Sequence, residues 1–309
     1  MSTVAVLMGG WSPEREVSLV SGKACAEGLR QAGHTVIEYD VKRDLRGLID
    51  FLRPASGGGP DVAFNALHGK YGEDGCIQGV LEILQVPYTH SGVLASALAM
   101  DKPMSRHVFT SIGLRVAPGK VIERRALVAG DPMPRPYVVK PIDQGSSVGV
   151  YIVRQGDNLA AVEAAEAQFG ERVLVEAFVP GRELTVAVMG DKSVAVTELR
   201  PRTRFYDYEA KYTEGITQHL VPAPIPADVY ELAKEWALMA HQALGCDGLS
   251  RADLRWDDSK PGTTGLVLLE LNTQPGMTPL SLAPEQAKWA GMSWPALMSW
   301  IVDHARHPS

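Results

Sequence analysis

The chain has 309 residues, 30 Lys and Arg against 36 Asp and Glu, and a formal charge of −6. It is long enough for two or three domains, and with a mildly acidic balance and no basic block it is a poor match for a nucleic acid backbone. Its three cysteines, Cys25, Cys76 and Cys246, are far apart and lack Cys-x-x-Cys spacing, which argues against a disulfide framework or zinc site and fits a reducing cytoplasm.

The apolar run Val4-Ala5-Val6-Leu7-Met8 is too short for a signal or membrane segment, so it reads as a first strand and no membrane partner is expected. From there strand and helix alternate: a helix over 13–32 closed by Gly33, strands over 35–39 and 61–66, a helix over 74–84 and a short extended Val86-Pro87-Tyr88. That alternation predicts an open parallel α/β sheet. Ser12 reads as an N-cap with Pro13 at the first helical position, which puts Glu14 in the first turn, where the helix dipole favours negative charge. Dipole complementation is a sufficient structural reason for Glu14. Beside the strand-end Gly9-Gly10 turn, Glu14 equally suits a cationic amine, because ligands of such sheets gather at the carboxyl ends of strands.

Residues 91–180 read as two helices followed by short strands at 137–141, 148–153 and 173–177, a smaller α+β unit. Between its first two strands lies Asp143-Gln144-Gly145-Ser146-Ser147-Val148-Gly149, whose backbone N–H groups can wrap phosphate oxygens, although a plain hairpin turn has the same composition. Lys140, ending the apolar run Tyr137-Val138-Val139, favours phosphate, since buried lysines are rarely unpaired. The loop also matches the Gly-x-Ser-x-Gly elbow of serine hydrolases, with His219 and His241 downstream. An elbow needs a helix after the serine, whereas Val148-Gly149-Val150-Tyr151-Ile152-Val153 is strand-like. No Gly-x4-Gly-Lys-Ser/Thr P-loop occurs.

Residues 181–309 read as strands at 184–189 and 193–198, a long irregular segment over 200–226, a helix over 228–244, a hairpin over 249–272 and two short helices around Gly291. The irregular segment contains Phe205-Tyr206-Asp207-Tyr208-Glu209-Ala210-Lys211-Tyr212, too aromatic for a disordered linker and long enough for a lid. In the hairpin, Glu270 and Asn272 share a strand face within an otherwise buried run, and Arg251 and Asp253 share one on the partner strand. An ionised carboxylate is costly to bury without a partner, so something cationic belongs opposite Glu270. Two carboxylates and an amide oxygen form a hard ligand set suited to Mg2+ with phosphate completing the shell; an Arg-Asp-Glu ion-pair network is the alternative.

In their order along the chain, Gly9-Gly10-Trp11-Ser12-Pro13-Glu14-Arg15-Glu16-Val17-Ser18, Leu67-His68-Gly69, Met100-Asp101-Lys102, Gly145-Ser146-Ser147-Val148-Gly149, Tyr206-Asp207-Tyr208-Glu209-Ala210-Lys211-Tyr212 and Glu270-Leu271-Asn272-Thr273-Gln274-Pro275-Gly276-Met277-Thr278 resemble the D-alanine:D-alanine ligases, which are ATP-grasp enzymes. The resemblance spans nearly the whole chain. It implies a three-domain α/β ATP-grasp ligase: an N-terminal open parallel α/β sheet (1–90), a central ATP-grasp subdomain (91–180) and a C-terminal ATP-grasp subdomain with lid loop and Mg site (181–309), the two α+β domains enclosing ATP.

The same resemblance implies that ATP phosphorylates the carboxylate of one D-alanine and that the amine of a second attacks the acyl phosphate, giving D-alanyl-D-alanine for peptidoglycan precursors. The nearest alternative is another ATP-grasp carboxylate–amine ligase with a different acceptor. By resemblance, Lys102, Lys140, Ser146, Ser147, Glu176, Ala177, Val179, Glu183 and Phe205 bind ATP, and Asp253, Glu270 and Asn272 hold two Mg2+, with Mn2+ able to substitute. Glu14 meets the amine of the first D-alanine and Ser281 and Lys211 the carboxylate of the second, with His68 and Tyr212 also on substrate. Arg251 and the Gly276 N–H stabilise the oxyanion of the tetrahedral intermediate, and Glu14, Ser146 and Tyr212 form a hydrogen-bonded set on closure. A cytoplasmic homodimer is implied as well. Two positions depart from the commonest pattern: Gln144, where an acidic residue often precedes Gly-Ser-Ser, and Gln274, where Ser is frequent before Pro-Gly-Met.

Overall fold

A computed structural model describes residues 1–145, 149–159, 162, 169–201, 217–278 and 280–308. The first elements are β1 (Thr3–Gly9), α1 (Arg15–Gln31), β2 (Thr35–Val41), α2 (Leu45–Leu52), β3 (Val62–Asn65) and α3 (Cys76–Ile83). The three strands form a parallel sheet of order β2-β1-β3. Helices α4 (Val93–Met100) and α5 (Lys102–Ser111) lead into β4 (Gly119–Glu123), β5 (Tyr137–Pro141), β6 (Tyr151–Val153) and β7 (Arg172–Ala177), an antiparallel sheet of order β4-β7-β5-β6. A third sheet, β10-β9-β8-β11-β12, joins β8 (Arg182–Met189), β9 (Lys192–Pro201), β10 (Thr217–Leu220), β11 (Leu249–Trp256) and β12 (Leu266–Asn272), with α6 (Ala227–Leu244) between β10 and β11. Helices α7 (Leu282–Trp289) and α8 (Trp294–Asp303) close the chain.

The continuous apolar run of β1 follows from burial on both faces, as in any covered parallel sheet. Val4 and Val6 pack among α1, α7 and α8, while Ala5 and Leu7 pack among Leu48 and Leu52 of α2 and Ile77 and Leu81 of α3. The third sheet lays one face, including Leu184, Val186, Leu254 and Leu268, on the apolar side of α6. Its other face is divided: Ala187 and Leu249 join the core under α7 and α8, and beyond them polar residues open onto a cleft.

Several expected elements differ. Helix α1 begins at Arg15, with Glu14 at the N-cap position, so Ser12 is not its cap. The Ser12 hydroxyl accepts from the Glu14 N–H at 3.1 Å and donates to the His68 carbonyl at 2.7 Å, joining two loops that meet only in the fold. Val86–Tyr88 forms isolated bridges, Ala63 with Tyr88 and Tyr88 with Arg306, and no strand. Helix α2 and strand β4 are additions; Asp44 caps α2 by accepting from the Gly47 N–H at 3.0 Å, a signal that was present in the sequence. Among the described residues no helix is long and apolar enough to cross a membrane.

Candidate active site

The expected hairpin of β11 and β12 forms, antiparallel, with Arg251 opposite Asn272 and Asp253 opposite Glu270. On β11 alternation is regular: Ala252, Leu254 and Trp256 enter the core, and Arg251, Asp253 and Arg255 face the cleft. Strand β12 does something that regular alternation forbids. Leu266, Leu268 and Leu271 all lie in the same core, so residues of both parities point inward, and the register shifts opposite Asp253 and Leu254. The bulge at Leu269 inserts one residue and reverses the faces. Without it Glu270 and Asn272 would share the face of Leu266 and Leu268 and be driven into the core.

Arg251 grips Asp253 with both ends of its guanidinium, Nε to Oδ1 at 2.9 Å and Nη2 to Oδ2 at 2.7 Å, and Thr185 donates to Oδ1 at 2.7 Å. The ion-pair alternative is therefore present within the same group of residues that forms the candidate metal set. Asn272 Oδ1 accepts from the Gln274 N–H at 2.8 Å, which orients the amide. Among the described residues no three His, Cys, Asp or Glu side chains form a metal-binding group. The donors here are two carboxylates on facing strands and one amide, all oxygen and all on one face, and their chemistry fits a hard divalent ion.

Two compartments meet at this hairpin, sharing Lys102, Gln144 and Glu270. The first is lined by Lys102, Lys140, Glu176, Ala177, Val179, Glu183, Asp253 and Glu270, together with Phe178 and Arg255. Lys140 Nζ lies 2.5 Å from Glu176 Oε2, and Arg106 pairs with the other oxygen of that carboxylate. Burial pulls the Lys140 ammonium down, but Glu176 and then Glu270 more than offset it and its pKa ends above the ordinary lysine value. Lys102 donates to the Gln144 carbonyl at 2.5 Å. Burial lowers its pKa, and the nearby Glu270 only partly compensates. Arg255 pairs with Glu183 at 3.0 Å and lies over the Phe178 ring, 5.5 Å from its centroid.

The second compartment is lined by His68, Glu73, Arg251, Asn272, Gly276, Ser281 and others. His68 is fixed at both ring nitrogens, Nδ1 to Glu73 at 2.9 Å and Nε2 to Ser21 at 3.0 Å. Ser281 Oγ accepts from the Thr278 N–H at 2.9 Å and lies where a side chain at position 276 would press on it, 3.0 Å from a Cβ there. Glu14 is buried beside Gly69, where the backbone has φ +71 and a Cβ would fall 2.2 Å from Glu14 Oε2, so only glycine fits. The loop that carries Gly145 also reaches Glu14: a Cβ on Gly145 would lie 3.2 Å from the same oxygen.

The fold thus brings Glu14, His68, Lys102, Lys140, Glu176, Ala177, Val179, Glu183, Arg251, Asp253, Glu270, Asn272, Gly276 and Ser281 around one cleft. Ser146, Ser147, Phe205, Lys211 and Tyr212 lie outside the described residues. Sequence reasoning missed Arg106, Phe178, Glu73 and Arg255. The last was within reach, since Arg251, Asp253 and Arg255 alternate on one strand.

Comparison with known proteins gives the family. The pattern for the C-terminal part of D-ala D-ala ligase matches residues 110–303, and that for the N-terminal part matches residues 42–91. The D-alanine–D-alanine ligase of Parvibaculum lavamentivorans is 57% identical over 304 residues, covering 98% of this chain and 97% of the relative, and that of Gluconobacter oxydans is 55% identical with 98% of each covered. Among solved structures, the D-alanine–D-alanine ligase of Bacillus anthracis complexed with ATP superposes with a TM-score of 0.80 at 27% identity, covering 98% of this chain and 97% of that one. On family pattern, identity and fold together, the chain belongs to the D-alanine–D-alanine ligase family of ATP-grasp enzymes.

Proposed function

We propose that this cleft joins two molecules of D-alanine into D-alanyl-D-alanine, a peptidoglycan precursor, by way of an acyl phosphate made from ATP. The chain is a ligase that forms a carbon–nitrogen bond. The observation that carries the reading is the hairpin face, which sets Arg251, Asp253, Glu270 and Asn272 at the junction of the two compartments.

In this reading the compartment lined by Lys140 and Glu176 takes ATP. Glu176, Ala177 and Val179 line the base, Glu183 meets the ribose, and Lys102 and Lys140 hold phosphates with the Ser146–Ser147 loop, while Phe205 also binds ATP. Lys140 exchanges its carboxylate partner for phosphate, which suits a lysine whose charge is already favoured at the site. Asp253, Glu270 and Asn272 would hold two divalent ions, Mg2+ or Mn2+, which would neutralise charge on the phosphates.

Glu14 accepts the amine of the first D-alanine beside His68, leaving its carboxylate toward the phosphate end. Ser281, at the N-terminus of α7, and Lys211 hold the second carboxylate, since free N–H groups there favour an anion. Arg251 and the Gly276 N–H stabilise the oxyanion that develops when the second amine attacks. Glu14, Ser146 and Tyr212 close the lid over the site and exclude water, which would hydrolyse the acyl phosphate.

The sheets support a division at 1–90, 91–180 and 181–309, one sheet falling in each part. The reading also places the protein in the cytoplasm as a homodimer. Phosphate release by the purified protein with D-alanine, with L-alanine and without amino acid tests the activity. Release that depends on D-alanine and accompanies dipeptide is the expected result, and equal release in all three would overturn it.

A further inference from the structure

We infer that Gln274 and Asn65 form a positioning pair that fixes the first amino-acid subsite relative to the phosphate end of the cleft. The inference rests on the reading of the Glu14 and His68 region as that subsite.

Both residues are buried, at 2% and 1% exposure, and neither is among the residues lining the two compartments. They come from opposite ends of the chain, 209 residues apart, where the end of β3 meets the loop after β12. Asn65 Nδ2 donates to Gln274 Oε1 at 2.6 Å and to the Gly72 carbonyl at 2.9 Å, and Asn65 Oδ1 accepts from the Leu67 N–H at 3.2 Å. Gln274 Nε2 donates to the Leu67 carbonyl, and the Gln274 N–H donates to Asn272 Oδ1. A continuous hydrogen-bonded path therefore runs from Asn272, in the candidate metal set, to the peptide bond that joins Leu67 to His68.

The chemistry explains why an amide stands at position 274. The side chain must donate to one buried carbonyl and accept from one buried amide at once, which a carboxamide does with its two ends. Serine is too short to span both partners, so Gln274→Ser would leave the Leu67 carbonyl and one Asn65 N–H unpaired inside the protein. The His68 loop is otherwise held from the N-terminal side, by Ser12 on its carbonyl and by Ser21 and Glu73 on its ring. Gln274 is the tie across to the strand that bears Glu270 and Asn272.

The test is steady-state kinetics of native protein, Gln274→Ser and Gln274→Met, the last being close in volume and carrying no new charge. A lost buried hydrogen bond that shifts the subsite should raise the apparent KM for D-alanine about 10- to 100-fold, while the KM for ATP changes by less than about threefold, because no residue of the pair lines the nucleotide compartment. Melting temperature is read in parallel. If both variants melt lower but keep the native KM for D-alanine, or if the two KM values rise together, the pair is a structural tie and the inference fails. If the native protein itself shows no D-alanine-dependent phosphate release, the functional reading fails first and the inference with it.

Discussion

The two ends of the cleft are held by different physics. At the end lined by Lys140 and Glu176, charge is matched by charge: Lys140 and Arg106 share Glu176, and Arg251 clasps Asp253. At the end lined by His68 and Ser281, most of the frame is a set of neutral hydrogen bonds from Ser12, Asn65, Gln274, Thr278 and Ser281, with His68 held between Glu73 and Ser21. Charge pairs can change partners with little movement, so the first end is suited to give up a carboxylate and take an anionic ligand. Neutral bonds aimed in fixed directions cannot be exchanged so readily, and they suit a subsite whose geometry must be ready before the substrate arrives.

The comparison is broken most severely at the shared hairpin. Glu270→Gln or Asp253→Asn should abolish turnover with the fold intact, because each removes a full charge from the site proposed to hold cations beside phosphates. Circular dichroism and turnover across a Mg2+ titration check this, and native activity in both variants at saturating Mg2+ would sink the metal assignment. Next comes Arg251→Met, expected to lower kcat by about 100- to 1000-fold, the range for losing one oxyanion donor. An unchanged kcat with a raised KM for ATP would show that Arg251 serves nucleotide binding alone.

Glu176→Gln sharpens the contrast without touching the reacting groups. It leaves Lys140 and Arg106 buried without their shared counter-charge, which should cost about 3 to 5 kcal/mol in urea unfolding without nucleotide. Saturating ATP should recover part of that loss by giving Lys140 a phosphate partner; a deficit unchanged by ATP would separate Lys140 from the phosphates.

The smallest effect concerns the neutral end. His90, buried in a T-shaped contact with Phe64, has its pKa pushed down by burial to about 4. The folded state therefore binds fewer protons than the unfolded state between pH 6.5 and 4, and stability falls as pH drops through that window, by up to about 3 kcal/mol. His90→Asn keeps a residue tolerant of the positive φ of +70 found there and should flatten that part of the pH–stability curve. A curve identical to that of the native protein would assign the acid sensitivity to other groups.

How far the sequence reached differs along the chain. Helix α6 was legible as a long amphipathic stretch, β11 by its alternation and β5 and β12 as short apolar runs, and the residues that the cleft gathers stand in short motifs in a fixed order. Helix α2 and strand β4 were missed. The former is short and contains Gly47, and the latter is a largely exposed edge strand with almost no apolar alternation to read. Arg106 was missed because nothing local marks it: it acts on Glu176, 70 residues away, and Gly119 leaves the room it needs.

By itself the sequence determined the chemistry available: which carboxylates, lysines and amides exist, and which share a strand. The tertiary structure decided where that chemistry points. A bulge at Leu269 turns Glu270 and Asn272 from the core to the cleft, and register with Arg251 and Asp253 follows from pairing with another strand. The tie between Asn65 and Gln274 exists only once the two ends of the chain meet. Alternation and propensity act between neighbours in sequence, whereas a bulge, a register and a buried amide pair are settled by which arrangement leaves the fewest polar groups unpaired across the whole fold.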